Sequence, residues 1–134
     1  MRVVLDTNIF ISGIFWSGDS ERVLYTWGNK KFESVTSNHI IEEVIATLID
    51  FKIHLPLNIL LLWISILSVE SVIVEPGEKI NIVKDDTHDN KFVEAAVAGK
   101  ANYIITQDNH LLKIKEFRGI KILTPKEFLD IFKT

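Results

Sequence analysis

The chain contains no cysteine among its 134 residues, which rules out disulfides and thiolate metal sites alike. It also lacks a long uninterrupted apolar run. The nearest candidate, Ile53 to Val69, is broken by His54, Pro56, Asn58 and Ser65 and falls short of the roughly 20 residues a spanning helix needs. An acid arrives already at Asp6, too early for the apolar region of a signal peptide. A cytoplasmic protein without membrane association is therefore expected. An excess of basic residues is missing too. Lys and Arg number 15 against 18 Asp and Glu, for a net charge of −3, which argues against tight, purely electrostatic binding of nucleic acid. An enzyme that meets nucleic acid briefly, through a bound cation, remains compatible with that balance. Low-complexity segments, repeats and linkers are absent. What is present, 47% hydrophobic and 25% charged residues, suits a single domain over residues 1–134 with one core.

Short β-rich runs alternate with longer helical patterns, the signature of a parallel sheet covered by helices and hence of the α/β class. The expected strands are Arg2–Leu5, Glu33–Thr36, Ser71–Val74, Tyr103–Thr106 and Ile120–Leu123. Helical stretches are expected near Thr7–Phe15, Ser20–Asn29, Asn38–Ile49, Leu57–Ser68 and Asn90–Ala98, with a short turn near Asn109–Ile114. Ser37 is placed to cap the helix carrying Ile40, Ile41, Val44, Ile45 and Leu48. Thr124-Pro125-Lys126-Glu127 combines a capping box with proline at the first helical position, opening a last helix that buries Phe128, Leu129 and Phe132. Gly99 suits a helix stop after Ala98. The stretch Leu57–Leu67 has only Asn58 and Ser65 as polar residues. A helix apolar on nearly every side must be covered on nearly every side, by other helices or by a second chain.

In open parallel sheets, ligands bind beyond the carboxyl ends of the strands, where strand order reverses. The first strand runs into Asp6 and the fourth, through Thr106-Gln107, into Asp108. The second leads into a helix carrying Glu42 and Glu43, and the loop before a later helix holds Asp85, Asp86 and Asp89. Taken singly, Asp6, Asp89 and Asp108 could each be a helix cap, and the glutamates could be solvated surface. Taken together they need more. Two carboxylates about 4 Å apart repel by about 1 kcal/mol in water and about 4 kcal/mol at a surface-like dielectric. Capping does not offset that cost; a cation does. Without Cys or paired histidines at helical spacing, oxygen ligation points to Mg2+ or Mn2+ rather than zinc. His88 and His110 lie beside the acids, with packing or surface roles the simpler reading. Lys91, Lys100, Lys113, Lys115 and Arg118 follow the acidic blocks and would at most form a cationic rim.

The acidic blocks resemble those of the PIN-domain nucleases. Asp6-Thr7-Asn8-Ile9-Phe10-Ile11-Ser12 resembles the family's opening, and Ser37 followed by Glu43-Val44 its second block. Asp86-Thr87-His88-Asp89-Asn90-Lys91-Phe92 resembles the third, with Thr87 where proline is frequent. Tyr103-Ile104-Ile105-Thr106-Gln107-Asp108 with Leu111-Leu112 resembles the fourth, and Ile122-Leu123-Thr124-Pro125-Lys126-Glu127-Phe128 the tail. The resemblance implies a three-layer α/β/α fold around a five-stranded parallel sheet in the order 3-2-1-4-5. It implies an acidic quartet of Asp6, Glu43, Asp89 and Asp108 holding Mg2+ or Mn2+, with Asn8 and Thr106 in support. Of the neighbouring pair Glu42 and Glu43, only one can face inward, because successive helical residues are turned about 100° apart. The implied activity is hydrolysis of single-stranded RNA, and the implied setting a VapC-type toxin, often dimeric, with a small antitoxin. Two rivals keep the fold: an RNA-processing nuclease outside any toxin pair, and an inert binding module. A third, an aspartyl-phosphate enzyme with Asp6 as nucleophile, wants an aspartate where the chain has Asn8.

Overall fold

The computed structural model describes residues 1–133. Strand β1 (Arg2–Leu5) is followed by helices α1 (Thr7–Phe15) and α2 (Asp19–Gly28), then β2 (Glu33–Thr36), α3 (Asn38–Asp50), α4 (Leu57–Val69) and β3 (Val72–Ile73). Residues 74–86 form a long connection to a single 3-10 turn (Thr87–Asp89) and α5 (Asn90–Ala98). The chain ends with β4 (Tyr103–Ile105), the short α6 (Asn109–Leu112), β5 (Glu116–Phe117), β6 (Ile120–Leu123) and α7 (Pro125–Asp130).

The sheet runs β3-β2-β1-β4-β6-β5. Its first five members pair in parallel, in the order that the resemblance implies. The difference is a sixth strand. Glu116–Phe117 pairs antiparallel with β6 at the edge, so the sheet is mixed rather than wholly parallel. The cause is local: Arg118 and Gly119 both have positive φ, at 50° and 83°, the backbone of a two-residue turn whose twist suits a hairpin. With only two residues in β5, no periodicity announces it. Central β1 explains the stability of the arrangement, since Val3, Val4 and Leu5 are buried. Helix α5 packs against β1, β2 and β4, while α2 and α7 pack on each other, bringing Phe128 edge-on to Phe32. Leu129 and Phe132 of the final segment are only partly buried, less than the pattern suggests.

The caps explain where the helices begin. Ser37 accepts a hydrogen bond from Ile40 N–H, and the Thr124–Glu127 capping box is complete in both directions. The stop at Gly99 has a different cause from the expected one. Gly99 sits at an ordinary φ of −88°, and the left-handed residue is Lys100, at φ 52°. Glycine is needed at 99 because a Cβ there would come within 2.5 Å of Val35 Cγ1 on β2. Close passage of α5 over the sheet, not backbone freedom, selects the residue.

Residues 74–86 are held without secondary structure of their own. Asn90 Oδ1 accepts from Ile82 and Val83 N–H at 3.1 and 2.8 Å, and its amide donates to the carbonyls of Val83 and Thr87. Glu94 accepts from Ile80 N–H, and Ile80 and Val83 are buried as anchors. Outside, Arg118 grips Glu78 through both guanidinium nitrogens and Lys113 pairs with Asp85. These pairs remove Lys113 and Arg118 from the expected cationic rim.

Helix α4 leaves its apolar surface uncovered. Only Leu67 is fully buried, whereas Leu57, Leu61, Leu62 and Val69 are 69, 55, 53 and 73% exposed. No helix among the described residues is long and apolar enough to cross a membrane.

Gly99→Ala is expected to destabilise the domain by about 1–3 kcal/mol, since the Val35 side chain must yield to the new methyl. Gly77→Ala meets nothing within 4 Å and should stay within about 0.5 kcal/mol of wild type. Urea titration of both variants measures the difference; equal stabilities would show that the α5–β2 contact is not tight.

Candidate metal centre

The order reversal lies between β1 and β4, and the acids gather at that carboxyl edge. Asp6 directly follows β1 and is only 3% exposed. Both of its oxygens are engaged. Asn8 N–H donates to Oδ1 at 3.3 Å, and Thr106 Oγ1 donates to Oδ2 at 2.6 Å. Thr106 in turn accepts from Asp108 N–H at 2.9 Å, so one buried hydroxyl ties the ends of two strands together. Burial raises the Asp6 pKa above the ordinary value; the bonds from Thr106 and Asn8 oppose this, and the charges of Asp108 and Glu43 add to it. The Asn8 side chain itself is exposed at the edge.

Asp6 and Asp108 do serve as caps. Asp108 Oδ1 accepts from His110 N–H at 2.8 Å and so opens α6. Asp86 caps the 3-10 turn through His88 N–H. Asp89 does not. It makes no capping bond at the start of α5, and its Oδ2 is shielded from solvent with no hydrogen-bond partner. A buried carboxylate oxygen left unpaired is costly. Burial and the facing Asp108, with smaller contributions from Asp6 and Asp86, push the Asp89 pKa up to about 8. Asp108 moves the other way. Its burial is outweighed by the hydrogen bond it shares with Asp89, by that from His110 N–H and by the nearby imidazole, which together hold its pKa low. The opposed shifts mark Asp89 as the acid that favours its protonated form and Asp108 as the one that favours its charged form.

The same side chains could hold a divalent cation. Ligand atoms of Asp86, Asp89, Asp108 and His110 all lie within 4.8 Å of one another, and opposed ligands of Mg2+ or a similar ion stand about 4–5 Å apart. Of the expected quartet, the fold thus brings Asp89 and Asp108 into direct company. It attaches Asp6 to them through Thr106, and sets Glu43 apart on α3. Glu43 pairs with the ammonium of Lys91, whereas its neighbour Glu42 is exposed. Sequence reasoning treated Lys91 as surface, yet it is only 6% exposed and also donates to His88 O at 2.9 Å. It had also left Asp86 and His110 outside the quartet. Asp86 is signalled by the Asp-Thr-His turn it caps; the Glu43–Lys91 pairing is long-range and has no local signal.

A groove of about 410 Å3 adjoins these acids, lined by Asn8, Ser12, Trp16, Phe51, Gln107 and Asp108. A cavity of about 670 Å3, lined in part by Met1, Trp27, Trp63 and Val72, lies instead at the amino ends of the strands, beside α4.

The Asp89 shift has a consequence for stability. Its folded pKa of about 8 stands above the ordinary carboxylate value of 3.8, so the folded state holds a proton that the unfolded state releases. Stability must then fall as pH rises through about 4 to 8. Asp6 acts in the same direction, while the lowered acids Glu78, Asp85, Asp108 and Asp130 act mainly at lower pH. In EDTA, Tm is expected to drop between pH 5 and pH 8, Asp89→Asn should flatten the slope, and added Mn2+ should restore Tm at the alkaline end. A wild-type Tm in EDTA that is flat or rising over this window would contradict the site described.

Comparison with known proteins places this geometry. No curated protein gives a significant match to the sequence. Among solved structures, a chain of VapBC2 from Rickettsia felis, crystallised with a DNA fragment from its promoter, is similar with a TM-score of 0.60. The likeness covers 92% of this chain and 98% of that one at 15% identity, and is therefore a likeness of fold. A family model described as the PIN domain matches residues 2–110, a span that includes β1, α3, the 3-10 turn and α5, β4, and all the acids at the sheet edge. The chain belongs to the PIN-domain family.

Proposed function

We propose that the protein is a Mg2+- or Mn2+-dependent endoribonuclease that hydrolyses single-stranded RNA, acting as the toxin of a toxin–antitoxin pair. The observation that carries the reading is Asp89: a buried carboxylate with an unpartnered oxygen, facing Asp108. A fold gains nothing by keeping such a group unless a cation is meant to replace the proton.

Asp89 and Asp108 would hold the ion, with Asp86 and His110 within reach and Asp6 steadied beside them by Thr106. Asn8, exposed at the same edge, would contact substrate or its water. When bound, the ion lowers the pKa of water and stabilises charge on the scissile phosphate. The chain's own residues set the geometry. Thr106 fixes the Asp6 carboxylate relative to Asp108, and Asn90 fixes the loop that carries Asp86. Hydrolysis would add water across the phosphodiester, breaking the bond to the 3′ oxygen and leaving 3′-hydroxyl and 5′-phosphate ends. The net charge of −3 fits an enzyme that approaches the phosphate backbone through its ion rather than through a basic face.

Support for a partner comes from α4. Its exposed leucines and the adjoining cavity with Trp63 form an apolar face away from the acids, as a second copy or a small antitoxin would require. The VapBC2 likeness supports the same setting.

With a labelled single-stranded RNA and Mn2+, Asp89→Asn and Asp108→Asn are each expected to lower the cleavage rate on the order of 100-fold or more. Retention of wild-type, metal-dependent cleavage by both variants would remove the assignment of catalysis to this edge. For the apolar face, light scattering should show wild type as a dimer or larger and the double variant Leu61→Glu, Leu62→Glu as a monomer. A monomeric wild type would show that α4 is not a contact between copies.

A further inference from the structure

The Glu43–Lys91 pair sets how many ions the centre can hold. We infer that Lys91 is a built-in cation standing where a second divalent ion would otherwise bind, so that the site takes one ion per chain. The inference rests on the metal-centre reading above and goes beyond it to the number of ions and the residue that fixes it.

Lys91 is anchored on α5, two residues beyond Asp89, yet its ammonium turns to the other side of the cluster. There it meets Glu43 of α3 and donates to the carbonyl of His88, and it lies 5.1 Å from the centroid of the Phe92 ring. It is 6% exposed, so it cannot exchange these partners for water. Glu43, whose side chain is 36% exposed, meets Lys91 through Oε2; an ion on the same carboxylate would sit beside the ammonium and be repelled by it, and drawing Glu43 away would leave the buried Lys91 charge uncompensated. Glu43 is therefore already satisfied, whereas Asp89 Oδ2 has no partner at all. An arriving ion meets one vacant set of oxygens, not two.

Lys91 is thus a positioning residue: it acts through Glu43 and the ion count, without touching the reacting phosphate.

Mn2+ titration of the full chain by calorimetry, with electron paramagnetic resonance counting the bound ion, tests the inference without reference to cleavage. Wild type is expected to bind one Mn2+ per chain. Glu43→Gln should still bind one, with affinity changed less than about tenfold. Lys91→Met should admit a second, weaker Mn2+ at the freed Glu43, and Lys91→Arg should return the count to one. Two ions in wild type, falling to one in Glu43→Gln, would overturn the inference while leaving the metal centre intact; so would a folded Lys91→Met that still binds one. Should Lys91→Met fail to fold, the wild-type and Glu43→Gln counts decide alone. Failure of the underlying reading looks different: wild type would bind no Mn2+, or Asp89→Asn and Asp108→Asn would bind it unchanged.

Discussion

The structure turns on a largely buried carboxylate, Asp89, one of whose oxygens is shielded from solvent without a hydrogen-bond partner. Asp89 reaches the cluster because α5 begins there, and α5 is fixed by its passage over β1, β2 and β4. Gly99 at its far end permits that passage, since any side chain would strike Val35. At its near end Asn90 spends its amide on the preceding loop, which leaves Asp89 with no cap to make. The buried, unpaired oxygen is thus the outcome of packing along the whole helix. In a fold with a marginal net stability, such a group survives because something else neutralises it.

Two means of neutralisation appear side by side. On one flank Asp89 faces Asp108, its pKa raised while that of Asp108 is lowered, in a group that could hold a divalent ion. On the other, Glu43 has a permanent counter-charge in Lys91. Asp6 lies between them, feeling the charge of both Asp108 and Glu43 and held in place by Thr106. Thr106 is completely buried and is the only direct side-chain link between the β1 and β4 ends of the site among the hydrogen bonds described. It does for two adjacent strands what a capping residue does for a helix, and it makes the reversal of strand order rigid at the point where an ion would sit.

Much of this was legible from residue patterns. Helix starts at Ser37 and Thr124 follow from caps whose chemistry is local, and parallel strands such as Val3-Val4-Leu5 announce themselves as short apolar runs. Asp6 and Asp108 could be placed at one edge because each directly ends a strand and parallel strands share an edge. What escaped notice depends on distance along the chain or on very short elements. Lys91 looks like any helical lysine until α3 delivers Glu43 to it from 48 positions earlier. The two-residue β5 has no period to detect, although Arg118-Gly119 marks its turn. Gly99 is legible as the stop after Ala98, where α5 does end, but the space that Val35 of β2 leaves there is set by packing and has no local signal.

The apolar helix illustrates how a sequence feature and a structural one can carry the same information about something outside the chain. Leu57–Leu67 reads as a helix needing cover on nearly every side, and the fold provides cover for little more than Leu67, Trp63 and Ile66. The cavity that Trp63 and Ile66 of this helix share with Met1 and Val72 lies at the amino ends of the parallel strands, while the acids lie at their carboxyl ends. A partner seated over that cavity would leave the acids open. Occlusion of the centre would need a partner segment long enough to reach around the sheet to Trp16 and Phe51, where the groove beside Asp108 opens.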